Sequence, residues 1–98
     1  MRDVRYVVFH LPGPAWVPGK SLFEQEGVRE HVSHYRKLLD AGKLAYGGPH
    51  PDERGGGMMI PTAAVSEEEL RAFAAQDPAV QSGLLRFEIR PWIIGMSA

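Results

Sequence analysis

Among the titratable side chains of this sequence, His31 and Asp77 are the two whose type and placement could move a proton. An imidazole titrates near neutral pH, so it can take up a proton and return it under working conditions. A carboxylate bonded to one ring nitrogen fixes the tautomer and stabilises the imidazolium. His31 falls in an amphipathic segment that ends at Gly42, and Asp77 with Pro78 closes a second one. On a helical wheel, at about 100° per residue, His31 lies beside Tyr35 and Leu38 on the flank of the apolar stripe, while His34 turns toward the polar side. Asp77 follows Leu70 by seven residues and Ala74 by three, which continues the inward face of its helix. With the two helices side by side, both groups enter one space between helix and sheet.

Plainer readings of the same residues stay open. A histidine on a helix flank can be a packed, hydrogen-bonded core residue, and Asp-Pro is an ordinary helix stop whose carboxylate caps the next turn. Gly47-Gly48-Pro49 can be turn geometry alone. Read functionally, Gly48 and Pro49 offer main-chain groups without bulky side chains near the end of a strand, where a small ligand could approach. Tyr35, close to His31 on the wheel, is a further candidate contact. Trp16, in the proline-rich loop Pro12–Lys20, is either a lid over a pocket or an interface anchor.

His31 and His34 stand at i, i+3, with His10 or His50 as further donors, but no third ligand has recognisable metal spacing. No metal site is assigned and no cofactor is expected. Gly55-Gly56-Gly57 opens a strand and lacks a following Lys-Ser/Thr, so it does not read as a phosphate cradle. Met58-Met59 reads as core.

The elements that must position these groups are legible from periodicity and punctuation. Val4–Leu11 is rich in β-branched and aromatic residues and reads as a strand. Ser21 and Glu24 have capping-box spacing ahead of a short turn, with a break at Gly27. Val28–Ala41 is the clearest helix, with Val28, Val32, Tyr35 and Leu39 as its expected apolar stripe, widened by Leu38. A short strand at Leu44–Gly47, a turn-rich connection from Pro49 to Gly57 and a third strand at Met58–Thr62 follow. Ser66 and Glu69 open a second helix that runs to about Gln76 and buries Leu70, Phe73 and Ala74. Ala79–Ser82 adds a turn, and Leu84–Ile94 is the last strand. The order β-α-β-β-α-β, with right-handed crossovers, predicts an α+β, ferredoxin-like fold: a four-stranded antiparallel sheet with both helices on one face. The face left bare, and the apolar Trp92-Ile93-Ile94 end, predict a homodimer.

Composition narrows the function. The 98 residues are 44% hydrophobic and carry a net charge of −1, as expected of one small globular domain spanning 1–98. A pI near 6.4 and the absence of a Lys/Arg block argue against nucleic acid or an anionic membrane as partner. There is no cysteine, which excludes thiolate nucleophiles, disulfides and Cys-ligated clusters. No apolar run approaches the roughly 18–20 residues of a membrane span, and no signal-peptide pattern opens the chain, so a cytoplasmic location is expected.

In order along the chain, Val28-Arg29-Glu30-His31, Leu38 with Gly42-Lys43-Leu44, Gly48-Pro49, Gly57 with its strand, Ser66-Glu67-Glu68, Asp77-Pro78, Gly83-Leu84 and Glu88 to Trp92 form a set that strongly resembles the YciI-like (YCII-related) family. The resemblance implies a dimeric α+β barrel, a deep pocket near the dimer interface and a His–Asp pair at the matching positions His31 and Asp77. One branch resembles a dehydrochlorinase, and related barrels include isomerases and cofactor-free monooxygenases. The loop Pro12–Lys20 is longer than the family pattern and could reshape the pocket mouth. The expected function is therefore a cofactor-independent lyase or isomerase acting on a small cyclic or enolisable molecule. The competing expectations are a non-catalytic dimeric ligand-binding domain and a cofactor-free oxygenase.

Overall fold

A computed structural model describes residues 2–98. Its elements are β1 (Asp3–Pro12), α1 (Val28–Asp40), β2 (Leu44–Pro49), β3 (Gly57–Pro61), α2 (Glu67–Ala75), α3 (Pro78–Gln81) and β4 (Leu85–Ile94), with a short 3-10 turn at Leu22–Glu24. The sheet order is β2-β3-β1-β4 and every neighbouring pair is antiparallel. This is the ferredoxin-like α+β arrangement, with α3 as an extra turn after α2. No helix among the described residues is long and apolar enough to cross a membrane.

β1 is central because its apolar run can be paired on both edges. It meets β3 at Val8↔Met59 and β4 along its whole length, from Asp3↔Ile94 to Pro12↔Leu85. Side chains alternate across a strand, so Tyr6, Val8 and His10 share the face under the helices. There Val8 joins Tyr35, Leu38, Met59, Val65, Leu70 and Ala74 in the main core, edged by Tyr6, Leu44, Phe73, Phe87 and Ile89. Ser66 caps α2 by accepting the Glu69 N–H, and Gly42 ends α1 at a φ of +74°.

The buried face of α1 is rotated from the expected stripe. Val32 and Leu39 are 44% and 46% exposed, whereas His31, His34, Tyr35 and Leu38 are buried. His34, expected on the polar side, donates its Nε2–H to the Phe73 carbonyl (2.6 Å) and stacks on the Phe73 ring at 4.0 Å. The physical reason is partner supply. Each buried polar ring of α1 meets a hydrogen-bonding group on another element, which removes most of the cost of burial.

β2 also runs further than expected, because Gly48 and Pro49 pair with Met58 and Gly57. The long first loop is fastened to the body of the protein. Gly13 and Ala15 donate to the Leu84 and Gly83 carbonyls, and the buried Gln25 side chain bonds both main-chain groups of Val17 and the Lys20 carbonyl. Trp16 packs on a second small cluster of Ala79, Leu84 and Leu85.

Candidate active site

The α2–α3 corner holds Asp77 in place through the backbone. Its carbonyl accepts the Val80 and Gln81 N–H groups at 2.9 and 3.0 Å, and its Oδ1 accepts the Ala79 N–H at 2.9 Å. Pro78 fits the first position of α3, where a backbone donor is not needed. The other oxygen, Oδ2, lies 2.6 Å from Nδ1 of His31, one turn into α1. Asp77 is fully buried and His31 is 3% exposed. An ionised carboxylate oxygen can only accept, so Nδ1 carries the hydrogen and donates it. Nε2 of His31 has no hydrogen-bond partner among the described residues, yet it is not sealed as Nδ1 of His10 is.

Two further rings stand edge-on to this imidazole. His10 lies 5.0 Å from it between centroids and Tyr35 5.3 Å, and the Tyr35 hydroxyl meets His10 Nε2 at 2.9 Å. Burial pushes His10 down to about 4, with the charge of His31 adding to the effect; Asp77 and the Arg86 carbonyl pull the other way. Burial, then the charge of Asp77, raises Tyr35, which keeps its proton. His10 and Tyr35 are thus a neutral pair beside the His31–Asp77 bond.

A cavity of about 450 Å³ opens on these groups, within the range of small-molecule sites. His10, His31 and Tyr35 line one side, Gly47, Gly48, Pro49, Gly56 and Gly57 the strand side, and Phe23, Val32, Leu39 and Tyr46 the mouth. Asp77 is not in the wall; the imidazole stands between it and the cavity. Arg36 is the one charged side chain among the described residues that line it. Of the sequence-derived candidates, His31, Tyr35, Gly48 and Pro49 therefore meet in one place. Trp16 lies instead in an adjoining hollow of about 500 Å³ that shares Leu22, Phe23 and Pro49 with the first.

Residues 4–93 match the family model of the YCII-related domain. The chain belongs to the YCII-related family. A comparison with curated proteins finds no match. The matched span takes in every element that shapes the cavity, from β1 to Ile93 of β4.

In this YCII-related chain, one nitrogen each of His10 and His31 and one oxygen of Asp77 lie within 4.8 Å of one another, a set that could hold a metal ion. As arranged it is hydrogen-bonded. Two ligands of a tetrahedral ion, each about 2.0–2.2 Å from it, stand roughly 3.4 Å apart, so the 2.6 Å His31–Asp77 pair would have to part to hold one. His10 is the site residue the sequence reading did not select, beyond naming it a possible metal donor. The available signal was the alternation of β1, which puts His10 in phase with Tyr6 and Val8 on the covered face.

The neutral state of His10 has a consequence for stability. An unfolded histidine takes a proton near pH 6.5, whereas folded His10 does so only near pH 4. Between those values the unfolded chain binds more protons, so folding stability falls as pH drops from about 6.5 toward 4 and levels off below. This contribution should reach about 3 kcal/mol at full extent. Urea unfolding of wild type and His10→Phe at about pH 7 and pH 4.5 should show a smaller acid loss in the variant; equal losses would contradict a buried neutral His10.

Proposed function

We propose that the protein is a cofactor-independent enzyme of the lyase or isomerase type, with His31 as general acid/base and Asp77 as its orienting carboxylate. One observation carries this reading: a buried carboxylate fixes Nδ1 of His31, while Nε2, without a hydrogen-bond partner among the described residues, belongs to a ring that lines a largely apolar cavity. Neutral His31 can remove a proton from carbon beside a carbonyl through Nε2. The imidazolium so formed is stabilised by the Nδ1–H···Asp77 bond, and the same proton is then returned at another carbon, shifting a double bond, or follows a departing leaving group. Apolar walls strengthen these electrostatic contacts by limiting water. Tyr35, Gly48 and Pro49 are the proposed substrate contacts, and Trp16 is reached only by a molecule that extends past Phe23.

A non-catalytic ligand-binding role has its own support, since Asp77 caps α3 and so has a reason to be buried without any reaction. Deuterium exchange separates the two. Wild type incubated in heavy water with a panel of enolisable cyclic ketones should label at least one of them at carbon. His31→Gln should slow that exchange by about 10²–10⁴-fold. Labelling at the wild-type rate by the variant would remove His31 from the chemistry, and binding without exchange would favour the sensing role.

We propose further that the protein is a homodimer. The helices leave one sheet face bare, and Trp92 and Ile93 on β4 are 44% and 49% exposed. Light scattering should give twice the 10.9 kDa chain mass, and Trp92→Glu should lower it. A wild-type mass of one chain would refute the dimer.

A further inference from the structure

His10 and Tyr35 serve neither the His31–Asp77 bond nor the proton transfer, yet both line the cavity beside His31 and are bonded to each other. Two buried polar groups in a wall that, apart from His31, Arg36 and Tyr46, is built of apolar side chains and glycines call for a reason beyond packing. The direction of their bond is set by which ring nitrogen of His10 carries the hydrogen. Tyr35 is buried, with Asp77 close by, so it keeps its hydrogen and can donate it. On the ring of His10, Nε2 is engaged with that hydroxyl, and Nδ1 is sealed without a hydrogen-bonding partner. A neutral imidazole carries one hydrogen; with it on Nδ1, the Nε2 lone pair is turned to the Tyr35 hydroxyl. Nε2 is then the acceptor and the Tyr35 O–H the donor.

We infer that Tyr35 and His10 are a paired polar contact for the bound molecule, in which the Tyr35 oxygen, its hydrogen committed to His10, accepts a hydrogen bond from a donor on an uncharged ligand. The ligand class is a small, neutral, mainly apolar molecule with a hydroxyl or equivalent donor. No acidic side chain among the described residues lines the cavity to receive a cation. Arg36, the one cation lining the cavity, is exposed to solvent, whereas an anion beside His31 would meet the lone pairs of Tyr35 and the neutral face of His10. The inference rests on the reading of this cavity as the substrate pocket and states what chemistry that pocket selects. It also assigns the two neighbouring rings separate tasks. His31 handles the proton that moves, and Tyr35 with His10 holds a group that does not.

Phenol and anisole test this directly, because they share an aromatic body and differ in the hydroxyl hydrogen. Each is titrated into protein labelled with ¹⁵N at histidine, and the ring signals of His31 are followed. Phenol should bind about tenfold more tightly than anisole, the worth of one net hydrogen bond. Tyr35→Phe should bring the two within about twofold. His10→Leu should narrow the gap by the opposite route: the Tyr35 hydrogen is released and can be donated to the ether oxygen, so anisole gains. A loss of packing alone would weaken both probes together and leave their ratio intact. Equal wild-type affinities, with His31 perturbed by both probes, would overturn the inference and leave the pocket standing. A tenfold preference surviving in Tyr35→Phe would overturn it as well. No effect on His31 from either probe would overturn the pocket reading and the inference together.

Discussion

The 2.6 Å bond between Nδ1 of His31 and Oδ2 of Asp77 ties the start of α1 to the corner between α2 and α3, two parts of the chain far apart in sequence. Both partners are buried, so the contact is between groups that water cannot rescue. Losing one side would strand the other, at a cost of several kcal/mol in buried pairs of this kind. The corner is built to deliver that carboxylate. Pro78 sets the entry to α3, the Ala79 N–H takes Oδ1, and the Asp77 carbonyl receives two further backbone donors. One residue therefore caps a helix and orients an imidazole, and the plain and the functional readings of Asp77 describe the same atoms.

From this bond outward the rest of the site is a matter of what may lie against a histidine. Ring edges from His10 of β1 and Tyr35 of α1 crowd the imidazole, and the glycine-lined ends of β2 and β3 border the open space of the cavity. Gly56 shows how tight the first side is: a Cβ there would come within 2.1 Å of the His10 carbonyl oxygen, and its φ of +74° already suits glycine. The backbone of β1 at His10 is thereby pressed against the β3 entrance, and His10 is held where Tyr35 reaches it. The fold contributes a fixed imidazole, a neutral polar pair beside it, and an apolar mouth formed by side chains that a simple core would have buried.

Much of this was legible in the residues themselves. The β-branched and aromatic run of β1, the serine caps, Gly42 and Asp77-Pro78 marked elements that the structure contains, and the β-α-β-β-α-β order determined which helices must be neighbours. Asp77 does not continue the inward face of α2 as the spacing behind Leu70 and Ala74 predicts: that helix ends at Ala75, and the carboxylate reaches His31 from the N-cap of α3. The failures are equally physical. Hydrophobic periodicity assumes that polar rings avoid the core, so it placed Val32 and Leu39 inward and His34 outward. In the folded chain His31, His34 and His10 each find a partner on another element, and the aliphatic residues are released to the cavity mouth. Such long-range partners are invisible to a window of neighbouring residues. Trp16 lies beside the adjoining hollow because the long loop is pinned by Gln25 and by the Gly83–Leu84 backbone, contacts that no local pattern announces.

The central claim is that a buried carboxylate locks His31 in one tautomer, with Nε2 turned to the cavity. Long-range ¹H–¹⁵N correlation of the histidine ring at neutral pH reports that directly. The account predicts a hydrogen on Nδ1 with a far-downfield proton signal that disappears in Asp77→Ala, while Nε2 responds to small molecules in the cavity. A His31 ring carrying its neutral-state hydrogen on Nε2, or an Nδ1 signal indifferent to the loss of Asp77, would contradict it.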